Sequence, residues 1–253
     1  MVIARSGQGP DLVLVHGWAM HGGIFAPLSE LLQRHFTLHV VDLPGTGFSR
    51  DETIDTDLLR VASALLDEVP RAVWIGWSLG GLIALTAALQ RPDRVRGVVE
   101  MASSPCFLID ADWPGVSMKT FEQFEVGLRD DYRVVVERFL ALEVLGSPDP
   151  QTELRELRAH VFERGEPSHD ALTTGMRWLE AADVRAQLPQ LAMPSLWIAG
   201  RRDRLVPPEA MRRAANLAAD GRFVEVPSGH APFIGYAPAV AQAIVEFVAA
   251  LPS

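Results

Sequence analysis

The chain is poor in several features that would each have pointed somewhere. It has one cysteine, Cys106, in 253 residues, so no internal disulfide can form and a disulfide-framed secreted fold is excluded. It has one lysine, Lys119, and its 32 acids outnumber its 23 bases, for a formal net charge of −9. A general nucleic-acid binder needs a basic footprint, so no nucleic-acid partner is expected. No apolar run approaches the roughly 18 residues of a membrane span, and residues 1–9 lack the apolar centre of a signal peptide. There is no HExxH, no paired-cysteine motif and no GxxxxGK[ST] loop, so neither a metal site nor a nucleotide cradle is expected. The expectation is a cytoplasmic protein, working as a monomer, that needs no cofactor.

What remains is ordinary globular material, 48% apolar and 22% charged. Short, continuous apolar runs at Leu12–Val15, Thr37–Val41, Ala72–Gly76, Val95–Met101, Ser195–Ala199 and Arg222–Val226 read as strands buried on both faces of a parallel sheet. Helical patterns at Ile24–Arg34, Thr56–Val69, Leu79–Gln90, Pro208–Ala218 and Pro238–Leu251 alternate with them. That order predicts an α/β fold with helices on both sides of the sheet. The alternation stops between about Asp110 and Leu191, where only helical patterns occur: Met118–Leu128, Tyr132–Leu145, Thr152–Phe162 and His169–Ala181. Gly146-Ser147-Pro148 and Gly165-Glu166-Pro167 break them. The expected organisation is a core of residues 1–109 and 192–253, with a helical cap, 110–191, inserted over the sheet's carboxyl edge.

Gly76-Trp77-Ser78-Leu79-Gly80 is a G-x-S-x-G pattern standing between a predicted strand and a predicted helix. On such an elbow the serine sits on a sharp turn, and small residues two before and two after let the backbone bend. The helix N-terminus then points at the reaction centre, where its free N–H groups favour negative charge. A serine nucleophile needs a base, and the base an acid, in the chain order Ser…Asp…His. Of the seven histidines, His230 follows the last predicted strand, as Asp203 follows Ser195–Ala199. Asp183 precedes that strand, at the wrong edge. His35 and His39 flank an early strand, and His160 and His169 fall in the cap. The developing oxyanion needs preorganised N–H donors: one from Leu79, the other from Trp18 in the His16-Gly17-Trp18 turn. His16 itself is read as orienting that turn. Asp42–Ser49 lacks the third glycine of a dinucleotide loop and is read as a structural turn.

These residues together resemble the α/β-hydrolase superfamily along the whole chain, with serine where dehalogenases carry aspartate. Gly76-Trp77-Ser78-Leu79-Gly80-Gly81, Ala102-Ser103-Ser104-Pro105-Cys106-Phe107, Trp113-Pro114-Gly115 and Val136–Leu142 further resemble the BioH carboxylesterase family. The resemblance implies hydrolysis of the methyl ester of a pimeloyl-[acyl-carrier protein] in biotin synthesis. Ser78 would be nucleophile, Asp203 orienter and His230 base. Trp18, Ser78, Leu79, His230 and the segment Phe139, Leu140, Ala141, Leu142 and Glu143 would contact the acyl substrate, with an apolar slot from Trp18, Phe139, Leu140 and Leu142.

An acidic carrier protein calls for arginines on the cap. Yet residues 117–183 hold eight bases against fourteen acids. Arg129 and Arg133 are spaced to share one helical face, as are Arg155 and Arg158. Arg138, Arg155 and Arg158 are the expected carrier contacts. A broader short-chain esterase, thioesterase or C–C bond hydrolase stays open, since a fold does not set its substrate. So does a binding protein without turnover.

Overall fold

The computed structural model describes residues 1–145, 147 and 149–252. The predicted break at 146–148 therefore lies outside the described residues at Gly146 and Pro148. The core begins with β1 (Val2–Gly7), β2 (Asp11–Val15), α1 (Ala26–Leu32), β3 (Thr37–Asp42), α2 (Leu58–Glu68), β4 (Ala72–Trp77), α3 (Leu79–Gln90) and β5 (Val95–Met101). Four helices follow: α4 (Met118–Asp130), α5 (Tyr132–Glu143), α6 (Pro150–Val161) and α7 (His169–Ala181). The core resumes with β6 (Ser195–Gly200), α8 (Pro208–Leu217), β7 (Gly221–Val226), α9 (Pro232–Gly235) and α10 (Ala237–Ala249).

The seven strands form one sheet in the order β1-β3-β2-β4-β5-β6-β7. All neighbours are parallel except β1, which runs antiparallel to β3. Every residue of β4 and β6 is buried, as continuous apolar runs between two helix layers require. β1 is absent from the sequence reading. It is an edge strand, exposed at four of six positions, so Val2-Ile3-Ala4-Arg5-Ser6-Gly7 carries no continuous apolar signal. The chain runs from β2 to β3 on one side and reaches β4 on the other. The crevice at the carboxyl ends of these strands is where open α/β sheets bind ligands.

The four inserted helices each start on a side-chain cap. Ser117, Asp131, Asp149 and Ser168 accept hydrogen bonds from first-turn N–H groups, each worth about 1 kcal/mol. The Asp131 cap corrects one expectation. The chain is extended there (φ −156°, ψ 94°), so Arg129 lies in the last turn of α4 and Arg133 in the first turn of α5, and they share no helical face. Arg129 instead pairs with Glu125 at 2.7 Å, and Arg133 with Glu166.

Several bonds join the inserted helices to the core. Ser168 N–H donates to the Gly45 carbonyl at 2.7 Å. The indole N–H groups of Trp18 and Trp178 donate to Leu172 and Thr56 carbonyls, each at 2.8 Å. The Arg164 guanidinium reaches both oxygens of buried Asp42 at 3.1 Å. Burial would raise the Asp42 pKa, but N–H groups of Phe48 and Gly22 and the Arg164 guanidinium hold it below the ordinary value.

Candidate active site

Ser78 connects β4 to α3 in a backbone conformation (φ 53°, ψ −118°) that costs a non-glycine residue about 1–3 kcal/mol. The neighbouring glycines make the turn possible. A Cβ on Gly76 would strike the backbone of Gly80 and Gly81, and one on Gly80 would strike the Val15 carbonyl. The turn is held by Ser78 N–H donating to Met101 O at 3.0 Å. α3 is buried from Leu79 to Ala88, so its N-terminus opens at the sheet's carboxyl edge and cannot slide.

His230 and Asp203 arrive on loops after β7 and β6. His230 Nε2 lies 2.9 Å from Ser78 Oγ, and His230 Nδ1 lies 2.8 Å from Asp203 Oδ2. All three side chains are buried. Asp203 Oδ1 accepts the N–H groups of Leu205 and Val206 at 2.8 and 2.9 Å, which leaves Oδ2 for the imidazole. That arrangement puts the histidine proton on Nδ1 and a lone pair on Nε2, facing the hydroxyl. The His230 backbone is clamped as well. Its N–H donates to the Glu143 carbonyl at 3.0 Å, and its carbonyl accepts the Trp77 indole N–H at 2.8 Å. An array of this kind can take a proton from a hydroxyl and return it to a leaving group.

The Leu79 N–H is the first of α3 and has no intrahelical acceptor. Among the described residues, neither it nor the Trp18 N–H donates to a protein acceptor. His16 ties the Trp18 turn to the turn after β3. Its Nδ1 bonds the Gly17 carbonyl at 2.8 Å, and its Nε2 accepts the Leu43 N–H at 3.1 Å. Burial takes the His16 pKa down to about 4, so the ring is neutral and supports the loop without charge. His39, His160 and His169 bond to Asp11, Glu163 and the Leu128 carbonyl instead. Asp183 pairs with Arg185.

Ser78 and His230 open on a cavity walled by Phe121 and Phe124 of α4, Phe139 of α5, Met176 and Leu179 of α7, and Phe107, Val116, Leu205 and Val206. It is a small, narrow cavity, about 30 Å³ in volume. Of the expected acyl contacts, Phe139 is in this wall. Trp18 packs edge-on behind it with ring centres 4.8 Å apart. Trp18 and Leu79 line a second small cavity with Leu43, Gly175 and Trp178. Leu140, Ala141 and Leu142 line neither cavity, because successive helical residues point about 100° apart and one face alone can meet the site. Glu143 meets His230 through its carbonyl. Its buried carboxyl is pushed well above the usual carboxylate range by burial and by Asp203. Phe121 and Phe124 went unnamed in the sequence reading, although their spacing with Leu128 marks the apolar face of α4.

Arg138 and Arg155 are exposed, and among the described residues neither forms an ion pair. Arg158 pairs with Glu137 at 2.7 Å, which brings α6 alongside α5 at Arg138.

A family model described as alpha/beta hydrolase fold matches residues 10–235. A protein of Stenotrophomonas maltophilia (strain R551-3), named pimeloyl-[acyl-carrier protein] methyl ester esterase, is 52% identical over 253 residues, covering 99% of this chain and 97% of its own. A protein of the same name from Xanthomonas axonopodis pv. citri (strain 306) is 51% identical over 248 residues, covering 97% and 98%. Among solved structures, a bromoperoxidase from Bacillus anthracis superposes with a TM-score of 0.89 at 20% identity, over 98% of this chain and 94% of that one. An esterase from Exiguobacterium antarcticum gives 0.86 at 21% identity, over 98% and 95%. At such identity the superpositions speak for the fold alone.

Proposed function

The chain belongs to the alpha/beta hydrolase fold family, and from that premise we propose that it is a serine carboxylesterase removing the methyl ester from pimeloyl-[acyl-carrier protein], in biotin synthesis. One observation carries the reading. The Ser78–His230–Asp203 line opens on an apolar, aromatic-walled cavity in a chain half identical to esterases of that name.

Ser78 Oγ attacks the ester carbonyl while His230 Nε2 takes its proton. The oxyanion forms against the N–H groups of Trp18 and Leu79. His230 then returns the proton to the departing methoxide, and methanol leaves an acyl-enzyme on Ser78. Water, deprotonated by His230, attacks the acyl carbonyl, and collapse restores Ser78 and releases the carboxylate. Asp203 holds the imidazole tautomer throughout. The apolar wall suits a methylene chain. Phe121, Phe124 and Phe139 form the aromatic side of that wall, next to Ser78. Residues 110–191 serve as the cap that carries these side chains. The acyl-carrier protein docks on the cap through Arg138, Arg155 and Arg158.

The test is hydrolysis of a carrier-linked methyl ester beside a free short-chain ester. The carrier-linked ester is expected to turn over faster, and R138E/R155E to lower kcat/KM for it by roughly tenfold while sparing the free ester. Equal losses on both would remove the docking role. A faster free ester would favour the broader esterase reading.

A further inference from the structure

Glu100 is a carboxyl the mechanism leaves unused. It lies on β5, level with Gly76 of β4 and Trp197 of β6. It is fully buried; among the described residues neither of its oxygens meets full hydrogen-bond geometry, and the Ser103 hydroxyl is the polar group that acts on it. A Cβ on Gly81 of α3 would strike Glu100 Oε2 and Ser103 Oγ together, so this glycine opens the space in which carboxyl and hydroxyl sit side by side. Ser103 spends its own proton elsewhere: its Oγ–H donates to the Ser78 carbonyl at 2.8 Å. The same carbonyl accepts the Gly81 N–H at 3.0 Å.

The peptide joining Ser78 to Leu79 is planar, with its C=O and N–H pointing opposite ways. Whatever holds the Ser78 carbonyl therefore aims the Leu79 N–H. We propose that Glu100, acting through Ser103, is a positioning residue that orients the Leu79 N–H as oxyanion donor. The proposal rests on the reading of Ser78 as nucleophile. With its proton, Glu100 donates to a lone pair of Ser103 Oγ and leaves the Ser103 proton on the Ser78 carbonyl. Without it, the carboxylate can only accept. It then draws the Ser103 proton to itself, and the carbonyl keeps one donor of two.

Among the described residues, the groups around Glu100 supply no charge. β4 offers Gly76, β6 Trp197, α3 Gly81 and the loop after β5 Ser103. Burial drives the Glu100 pKa up to about 8, with only the Ser103 hydroxyl pulling the other way. The relay is intact at neutral pH and fails in mild alkali.

The experiment follows kcat on a free, uncharged ester across the range from neutral to alkaline pH for wild type, E100Q, E100M, S103A and E100M/S103A. Wild-type kcat is expected to fall above about pH 8. E100M and S103A are expected to lose about tenfold to a hundredfold in kcat with little change in KM, part of what a whole oxyanion donor supplies. The double variant should be no worse than S103A alone. E100Q, whose amide donates without titrating, should restore kcat over E100M and remove the alkaline fall. Wild-type kcat in E100M, or an alkaline fall kept by E100Q, would overturn the proposal. If E100M does not fold, the E100Q profile decides. Failure of the esterase reading looks different: wild type would hydrolyse no ester and leave Ser78 unlabelled by a fluorophosphonate.

Discussion

Ser78→Ala is expected to lower kcat by roughly 10⁶-fold, the loss seen when a serine hydrolase nucleophile is removed alone. The variant should fold. Among the described residues the Ser78 side chain makes one hydrogen bond, to His230 Nε2. Alanine keeps the Cβ, so the positive φ is no worse tolerated than before. The turn also retains its backbone bonds to Met101, Gly81 and Ser103. Three readouts should move together: turnover of the carrier-linked ester, labelling by a fluorophosphonate, and growth without biotin of a strain lacking this esterase. Growth supported by the alanine variant would refute the catalytic reading.

Asp203→Asn is expected to cost about 10⁴-fold in kcat, with the fold intact. The reason lies in how the carboxylate is already committed. Leu205 and Val206 direct two N–H groups at Oδ1, so the asparagine oxygen is fixed on that side and its amide nitrogen turns to His230. An amide donor facing Nδ1 forces the imidazole proton onto Nε2. The atom 2.9 Å from Ser78 Oγ then carries a hydrogen where the reaction needs a lone pair. KM should change little, because Asp203 is absent from the cavity wall. A loss under about tenfold would mean that His230 does not depend on Asp203 for its tautomer.

The parallel strands were legible because burial on both faces leaves uninterrupted apolar runs, as in β4 and β6. β1 was not, since an edge strand exposed along most of its length has no such run. The predicted helix from Ile24 begins instead as a 3₁₀ turn, Gly22–Phe25, capped by His21, before α1 starts at Ala26. Ser78, Asp203 and His230 could be named from local motifs because each stands on a turn directly after a strand. The cavity wall depends on which face each inserted helix turns inward. Spacing marks the Phe121–Phe124 face of α4 as apolar but does not say what it covers. Glu100 was invisible for another reason. In Val98-Val99-Glu100-Met101 a single acid reads as the end of an apolar run, and only packing against Gly81 and Ser103 reveals a carboxyl sealed inside the sheet.

Glu100 and Glu143 bear on how the whole molecule responds to pH. Glu100 holds its proton up to about 8, and burial pushes Glu143 in the same direction, so with Glu100 protonated the folded protein is less anionic near neutrality than its formal −9. In the unfolded chain these carboxyls ionise near the ordinary 4.5. Unfolding at neutral pH therefore sheds protons into the buffer, and the heat of melting includes the buffer's heat of protonation. Because the folded state binds these protons more tightly, the stability Glu100 contributes is whole below 4.5 and is lost as pH rises toward about 8. An enzyme whose surface is acidic is thus most resistant to unfolding on the acid side of neutrality, as far as these two side chains decide it.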